Sequence, residues 1–395
     1  MRLAHLADPH LGFRQYHRLT ERGRNQREVD VALAFSRAID GVIAARPDAV
    51  VVAGDVFHAV RPTNSAILHA VQEFGRLERA LPGVPIVVIA GNHDTPRSTD
   101  TISIFGLLSE LGGVQVADAG ARRIVIPELD LSIFAVPHQA LFETPRIVLE
   151  PAGPAAHQVL VIHGEVPGLF GDEHLVAEPG GAMLSDEDLS GDWSYVALGH
   201  YHVQHKVRDR QWYSGSLDYV STNPWGELRA ERDSRIDGKG WLLIDLATQR
   251  IERQDVEAPR RFRDLRWLDA TDLAAPELDR LIAEAVAEVP GGIAGAVVRQ
   301  VVRNVARPVA RELDHAQIRA WKAEALHFQL DLRRPEASTR QSASGAPGKP
   351  ETLPETLSSY LRARTLPPGI DQVRFVTRGV DMLEAVERDA GAAES

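Results

Sequence analysis

Five short apolar runs, each halted by a cluster of Asp, His or Asn, constrain this chain more than any other feature of its sequence. LAHLADPH stops at Asp8 and His10, VVVAGDVFH at Asp55 and His58, and VVIAGNHD at Asn92, His93 and Asp94. VLVIHGE stops at His163, and YVALGHYH at His200 and His202. Runs of β-branched and apolar residues bounded by turn formers read as buried strands, here 3–7, 49–53, 86–90, 133–136, 158–162 and 195–198. Between the first of them, residues 26–45 and 63–80 carry apolar positions such as Val29, Leu33, Ile39 and Val42 at helical spacing. This βαβ pattern predicts an α/β fold whose parallel strands end along one edge, where groups far apart in sequence converge. Asp8 and His10, like His200 and His202, are two residues apart and would point the same way in a regular strand. Gly54, Gly91, Gly164 and Gly199 permit the sharp exits and close backbone approach that convergence needs.

The residue types at that edge point to metal chemistry. The chain has no cysteine, so disulfides, thiolate sites and Cys nucleophiles are excluded and any metal must be held by His, Asp, Glu or Asn. Imidazole mixed with carboxylate and amide oxygen suits Mn²⁺, Fe or Zn²⁺ better than Ca²⁺ or Mg²⁺. The set is too large for one ion. Two dications roughly 3.5–4 Å apart need a bridging carboxylate, and Asp55, in the central motif, is the candidate. Two dications less the charges of Asp8 and Asp55 leave a net positive site able to hold an anionic phosphodiester and acidify a water. His5, His69, His157, His315 and His327 lack this context and read as packing or surface residues, and His138 and His205 are not expected to be ligands.

At 395 residues the chain exceeds the roughly 250–300 at which one core stops growing, so several units are expected. A large α/β domain over 1–256 is followed by a smaller unit over 257–334, with a helix at 277–288, a Val-rich strand at 296–305 and a helix at 314–328. Residues 335–356, rich in Ser, Ala, Gly, Pro and Thr, read as a flexible linker. Beyond it, 357–395 includes Leu357, Tyr360, Leu361, Val380, Leu383 and Val386 at amphipathic spacing, two short helices parted by Leu366-Pro367-Pro368-Gly369 that need a partner surface. No stretch is apolar enough to span a bilayer and the first seven residues read as a strand, so a cytoplasmic protein is expected. The net charge of −11 makes any nucleic-acid binding depend on local basic patches. Arg14, Arg18, Arg22, Arg24 and Arg27 follow the first motif, and Arg299, Arg303, Arg307 and Arg311 recur at every fourth place, which would put the first members on one face. No phosphate-binding Gly-x-x-x-x-Gly-Lys-Ser/Thr is present, so ATP dependence would have to come from another protein.

The order D-x-H, G-D-x-x-H, G-N-H-D, H-G and G-H-x-H resembles the calcineurin-like metallophosphoesterases. His58 three places after Asp55, the DPHLGFRQYHR opening followed by RNQREVDVALAF, and Thr95-Pro96 after GNHD resemble the SbcD branch of DNA double-strand-break repair nucleases. The likeness is strong over about 1–250 and holds only in layout over 257–389. It implies a two-sheet α/β sandwich with a small α+β capping domain and a C-terminal helical partner-binding segment. It also implies one metal on Asp8, His10, Asp55 and His202 and another on Asp55, Asn92, His163 and His200. His93 would be the general acid, His58 would position it, and Asp94 would orient His93 or a neighbouring ligand. The function implied is a Mn²⁺-dependent DNA exonuclease and endonuclease acting by two-metal catalysis, a homodimer through the helices at about 63–80 and 99–112, bound by 357–395 to a coiled-coil ATPase of the SbcC type. Arg14, Arg18, Arg22, Arg299 and Arg303 would meet DNA. The competing readings are a phosphodiesterase for small nucleotides, against which the basic cap argues, and a scaffold whose metals only fix the fold, against which His58 and His93 argue.

Overall fold

The computed structural model describes residues 1–95, 103–170, 179–335, 353–362, 364 and 371–393, which fall into two compact units, Met1–Pro335 and Glu336–Ser395. The first unit is built on two six-stranded sheets and a smaller third one. In the first sheet β1 (Arg2–Leu6), β2 (Ala49–Ala53), β3 (Ile86–Ile89) and β4 (Val114–Ala117) run parallel, and β11 (Lys239–Asp245) and β12 (Arg250–Val256) join antiparallel on the far side of β1. The second sheet runs β5 (Arg122–Ile126), β6 (Leu131–Val136), β7 (His157–His163), β8 (Tyr195–Gly199), β10 (Gln211–Tyr213) and β9 (His205–Arg208), with β6, β7, β8 and β10 parallel. Both sheets are therefore mixed rather than purely parallel.

The apolar runs are continuous because their strands are covered on both faces. Val51, Ala53, Val87 and Ile89 pack inward against Ile133, Ala135, Val159 and Val161 of the opposing sheet. The alternate residues Val50, Val52 and Val88 face α1 (Gln26–Ala45) and α2 (Asn64–Ala80), through Phe35, Ile39, Phe74 and Leu77. Both helices begin at polar caps: Asn25 accepts from the Arg27 and Glu28 amides, and Thr63 accepts from Ala66. On the outer face of the second sheet Phe134, Leu160, Ile162 and Leu198 are covered by loop residues including Leu184, Leu189 and Trp193.

The third sheet is four-stranded and parallel: β15 (Val297–Arg303) pairs with β13 (Phe262–Asp264), β14 (Leu268–Asp269) and β16 (His327–Leu332). Leu278, Ile282 and Val286 of α5 (Ala275–Ala287) lie one turn apart and pack with Val298, Val302, Trp321 and Phe328. The helix expected over 314–328 stops at Glu324, as α7 (His315–Glu324), because the alternating HFQLDL that follows forms β16. Arg299 and Arg303 belong to β15, whereas Arg307 and Arg311 belong to α6 (Arg307–Glu312), so the four do not share one element. Of the helix expected over 99–112, residues 99–102 lie outside the described residues and of the rest only Phe105–Ser109 is helical, as α3, while most of the expected linker lies outside the described residues and its last part, 353–356, is already helical.

In the second unit α8 (Leu353–Arg362) and α9 (Gln372–Ala393) pair, with Gln372 Nε2 donating to the Leu361 carbonyl at 3.2 Å. Two helices were expected here, but the second extends further than its apolar spacing indicated. Among the described residues no helix is long and apolar enough to cross a membrane.

Candidate active site

The carboxyl ends of β1, β2, β3, β7 and β8 meet along the edge shared by the two large sheets. Asp8, His10, Asp55 and His200 all lie just past their strands, at φ of 51°, 47°, 49° and 111°. Non-glycine residues avoid this left-handed region at a cost of about 1–3 kcal/mol each, so surrounding structure must hold them. It does so through backbone pairing: the Asp8 amide donates to Gly54 O at 3.1 Å, His10 to Asp55 O at 2.9 Å and Leu11 to Val56 O at 2.8 Å. The His200 amide donates to both Asp8 carboxylate oxygens at 3.1 Å. The pairs Asp8/His10 and His200/His202 thus converge through turns, and not through the strand alternation that their spacing suggested.

Asp8, His10 and His202 bring ligand atoms within 4.8 Å of one another, as do Asp8, Asp55 and His163. Asp55 Oδ2 stands between the groups, 3.5 Å from His10 Nε2 and 3.4 Å from His163 Nε2. Asn92 Oδ1 lies 2.9 Å from His163 Nε2 and 3.2 Å from His200 Nδ1. Asp8, His10, Asp55, His163, His200 and His202 are all buried. His163 Nδ1 donates to Ala53 O at 2.8 Å, which leaves Nε2 facing the cluster with a lone pair when neutral. His10 Nε2 has no hydrogen bond at all. Buried nitrogen lone pairs and carboxylates crowded on one point are costly unless a cation satisfies them, and nitrogen with oxygen donors fit a divalent metal. The electrostatics agree. Burial pushes the Asp8 carboxyl up to about 6, against the pull of His163 and His202. Burial would also lower His163, but the Asp55 carboxylate outweighs it and raises the imidazole to about 9. The carboxylates therefore draw in positive charge, here a proton.

His58 and His93 stack beside this cluster, ring centroids 5.1 Å apart. His93 is fixed at both ends: its amide donates to Asp55 Oδ1 at 2.9 Å and its Nδ1 to the His58 carbonyl at 2.9 Å. Its Nε2 is buried without a partner. His58 Nδ1 lies 3.2 Å from His10 Nδ1, and burial, helped by the charge of His93, pushes it down to about 4, so it is neutral. Asp94 does not bond the His93 ring. Its carboxylate accepts from the amides of Val56, Phe57 and Gly91 at 3.0, 2.8 and 3.0 Å, which ties the β2 exit to the β3 exit.

The arginines divide. Arg14 is more than half exposed and pairs with Glu28 at 2.8 Å. Arg18 donates to the carbonyls of Ala323 and Ala325, and Arg299 forks onto Asp264 at 2.9 and 2.8 Å. Arg303 stacks over Trp267. Arg27, grouped with these from sequence, is fully buried and pairs with Asp30 and Asp218, so it is structural. Two carboxylates were overlooked. Glu165 Oε1 sits 3.0 Å from His200 Nε2, a role its place two residues after His163 could have suggested. Glu227, on α4 (Pro224–Asp233), lies 3.6 Å behind His202 Nδ1, and nothing in its local sequence marks it.

The family model for calcineurin-like phosphoesterases matches residues 1–221. The chain is 28% identical over 301 residues to the DNA double-strand break repair protein Mre11 of Methanococcus maripaludis, covering 72% of this chain and 75% of that one. It is 29% identical over 248 residues to the protein of the same name from Sulfurisphaera tokodaii, covering 62% and 59%. With that of Methanocaldococcus jannaschii it shares 27% over 264 residues, covering 65% and 66%. The chain thus spans between about three-fifths and three-quarters of these three relatives. More than half of its length answers to one family, and the chain belongs to the calcineurin-like phosphoesterases.

Proposed function

We propose that this chain is a Mn²⁺-dependent DNA exonuclease and endonuclease, the nuclease subunit of an SbcCD-like complex for double-strand-break repair. The observation that carries the reading is the buried Asp/His cluster with two further histidines, His58 and His93, stacked beside it, more donors than a site that only fixes the fold would need. The names of the relatives support DNA as substrate. Asp8, His10, Asp55 and His202 would hold one dication and Asp55, Asn92, His163 and His200 the other. Bound there, two dications supply charge neutralisation for the phosphodiester and a water of lowered pKa.

The chain's own residues do the rest. His93 Nδ1 gives its hydrogen to the His58 carbonyl, so Nε2 is the nitrogen free to carry a second proton to the departing 3′ oxygen. His58, stacked on it, keeps that ring in place and lines the strand's path. Asp94 keeps Asp55 in register by clamping the backbone that follows it. Arg22 and Arg303 are the phosphate contacts of this reading, and Arg14, Arg18 and Arg299 reach DNA only by exchanging their internal partners. Residues 257–334 act as the cap, 335–356 as linker, and 357–395 dock on a coiled-coil ATPase of the SbcC type by their apolar faces. Leu68 and Leu107, both half-exposed on α2 and α3, offer a face for a homodimer. The protein works in the cytoplasm, at the nucleoid.

The test is incubation of the purified chain with labelled single- and double-stranded DNA in Mn²⁺, Mg²⁺ or EDTA. Cleavage in Mn²⁺ abolished by EDTA is expected. Hydrolysis of small nucleotide diesters with no action on DNA would replace this reading by that of a small-molecule phosphodiesterase.

A further inference from the structure

Behind the metal-facing side of His202 lies a buried group of charges that the reaction as described does not use. Glu227, Glu231 and Lys239 are all buried, Glu227 completely. The Lys239 ammonium pairs with Glu227, lies 3.0 Å from Glu231 Oε1 and donates to the His202 carbonyl at 2.9 Å. Glu231 also accepts from the Tyr219 hydroxyl at 2.8 Å, and Glu227 Oε1 from the Ser221 amide at 3.1 Å. Two carboxylates thus share one ammonium, and the excess negative charge sits on the side of Glu227 that faces His202 Nδ1 at 3.6 Å. No other acceptor meets that nitrogen. An unbalanced buried charge is costly unless a positive or polarised group answers it, and the imidazole N–H of His202 is the group in reach.

The helix that carries Glu227 is held from its other side. Trp225, two residues earlier on α4, donates its indole N–H to Gln329 of β16 at 3.1 Å and lies under the Arg299 guanidinium of β15 at 4.8 Å. Arg299 is itself pinned on Asp264 of β13. A single turn of helix therefore touches the third sheet with one side chain and the back of a metal-facing histidine with the next.

We propose that Glu227 is the positioning residue for His202: its carboxylate keeps the hydrogen on Nδ1 and turns the Nε2 lone pair toward Asp8 and His10, and the seating of Trp225 on the third sheet fixes Glu227 in that place. The proposal rests on the metal-binding reading above and adds to it a residue that never touches metal or substrate. It makes the strength of one metal site depend on contact with the third sheet, about which the strand-end motifs say nothing.

The test compares Glu227→Gln, Glu231→Gln and Trp225→Ala in the full chain by equilibrium Mn²⁺ binding, followed as free Mn²⁺ by electron paramagnetic resonance. Imidazole ¹⁵N shifts of the metal-free protein report the His202 tautomer. Glu227→Gln is expected to weaken one of two Mn²⁺ sites by about 10–100-fold, leave the other within about threefold, and mix the His202 tautomers. Trp225→Ala should weaken the same site in the same direction. Glu231→Gln, which loses a buried carboxylate that does not face His202, should lower thermal stability and leave both Mn²⁺ affinities unchanged. Should Glu227→Gln fail to fold, Glu227→Asp, which withdraws the charge by one methylene, carries the same expectation. Unchanged Mn²⁺ affinities in the Glu227 variant, or an equal loss in Glu231→Gln, would overturn the proposal while leaving the metal reading intact. A wild-type chain that binds no Mn²⁺ would overturn both.

Discussion

Replacing Gly91 by alanine tests how rigidly the strand exits are locked together. An added Cβ would sit 2.5 Å from Asp55 N and 2.8 Å from Asp55 Cγ, and nearer still to Oδ1. Ordinary contacts need about 3.5 Å, so one of the two exit loops must retreat by about 1 Å. Neither can do so alone. Asp55 is held by the His10 amide on its carbonyl, and the Asp94 carboxylate bonds Gly91 and the residues after Asp55 at once. Overpacking costs about 1–3 kcal/mol, and losing the His93 amide bond to the Asp55 carboxylate adds about 1–2 kcal/mol. At roughly 2.1 cal/mol/K per residue of unfolding entropy, a total of about 2–5 kcal/mol lowers the Tm of a unit this long by about 3–7 °C. Because the displaced group is the carboxylate between the two ligand groups, Mn²⁺ affinity should fall by at least ~10-fold. Thermal unfolding and Mn²⁺ titration of Gly91→Ala, with Gly106→Ala as the control where a Cβ meets nothing within 4 Å, measure both. A Gly91→Ala protein with wild-type Mn²⁺ affinity would refute the claim that the exits are rigidly coupled.

Four further outcomes are expected. His93→Ala should keep DNA and Mn²⁺ binding and lose turnover by about 10²–10⁴-fold, and near-normal turnover in a steady-state assay would remove His93 from the chemistry. Arg27→Met leaves Asp30 and Asp218 without their buried partner and should cost about 3–5 kcal/mol in urea unfolding, where a loss under about 1 kcal/mol would contradict its structural role. Burial lowers His5 to about 3, against the ordinary histidine value of 6.5, despite a backbone hydrogen bond with Leu198 that works the other way. The unfolded chain therefore takes the proton first, and the stability owed to neutral His5, complete above pH 6.5, is lost as the pH falls toward 3. His5→Gln should lose less between pH 7 and pH 5 in urea midpoint than the wild type does, and an equal loss would refute this. Deleting residues 336–395 should leave Tm and Mn²⁺-dependent nuclease activity in place and abolish co-purification with the ATPase. A large fall in Tm would place these helices on the nuclease body instead.

The strands were legible because burial on both faces writes an uninterrupted apolar run, and the site because each run breaks at its last turn on Asp, His or Asn. Val50 to Ala53 followed by Asp55 is such a case. What sequence did not carry was contact across distance. Glu227 reaches His202 only because α4 folds back over β8, and Arg27 looked like one more surface arginine until Asp218, far along the chain, met it. Backbone conformation was hidden as well. Two-residue spacing argued for alternation on a strand, whereas Asp8 and His10 both adopt a left-handed turn that side-chain periodicity cannot encode. The start of β16, His327 and Phe328, was absorbed into the preceding helix because HFQLDL continues its apolar content while changing its period.

The first strand of this sequence, β1, is not an edge. β1 pairs with β2 on one side and with β11 on the other, from Arg2 opposite Asp245 to His5 opposite Leu242. At about 5–20 residues per second, roughly 12–50 s of synthesis separate β1 from the partner that closes its open side. Throughout that interval a buried, apolar strand offers unpaired amides and carbonyls to any neighbour, which is the geometry that seeds aggregation. A fragment ending at residue 221, where the family match ends, would keep the strand-end Asp, His and Asn side chains but carry that open edge permanently. The last strands of the first sheet hold none of those side chains, yet they close the edge that the nascent chain carries until they are made.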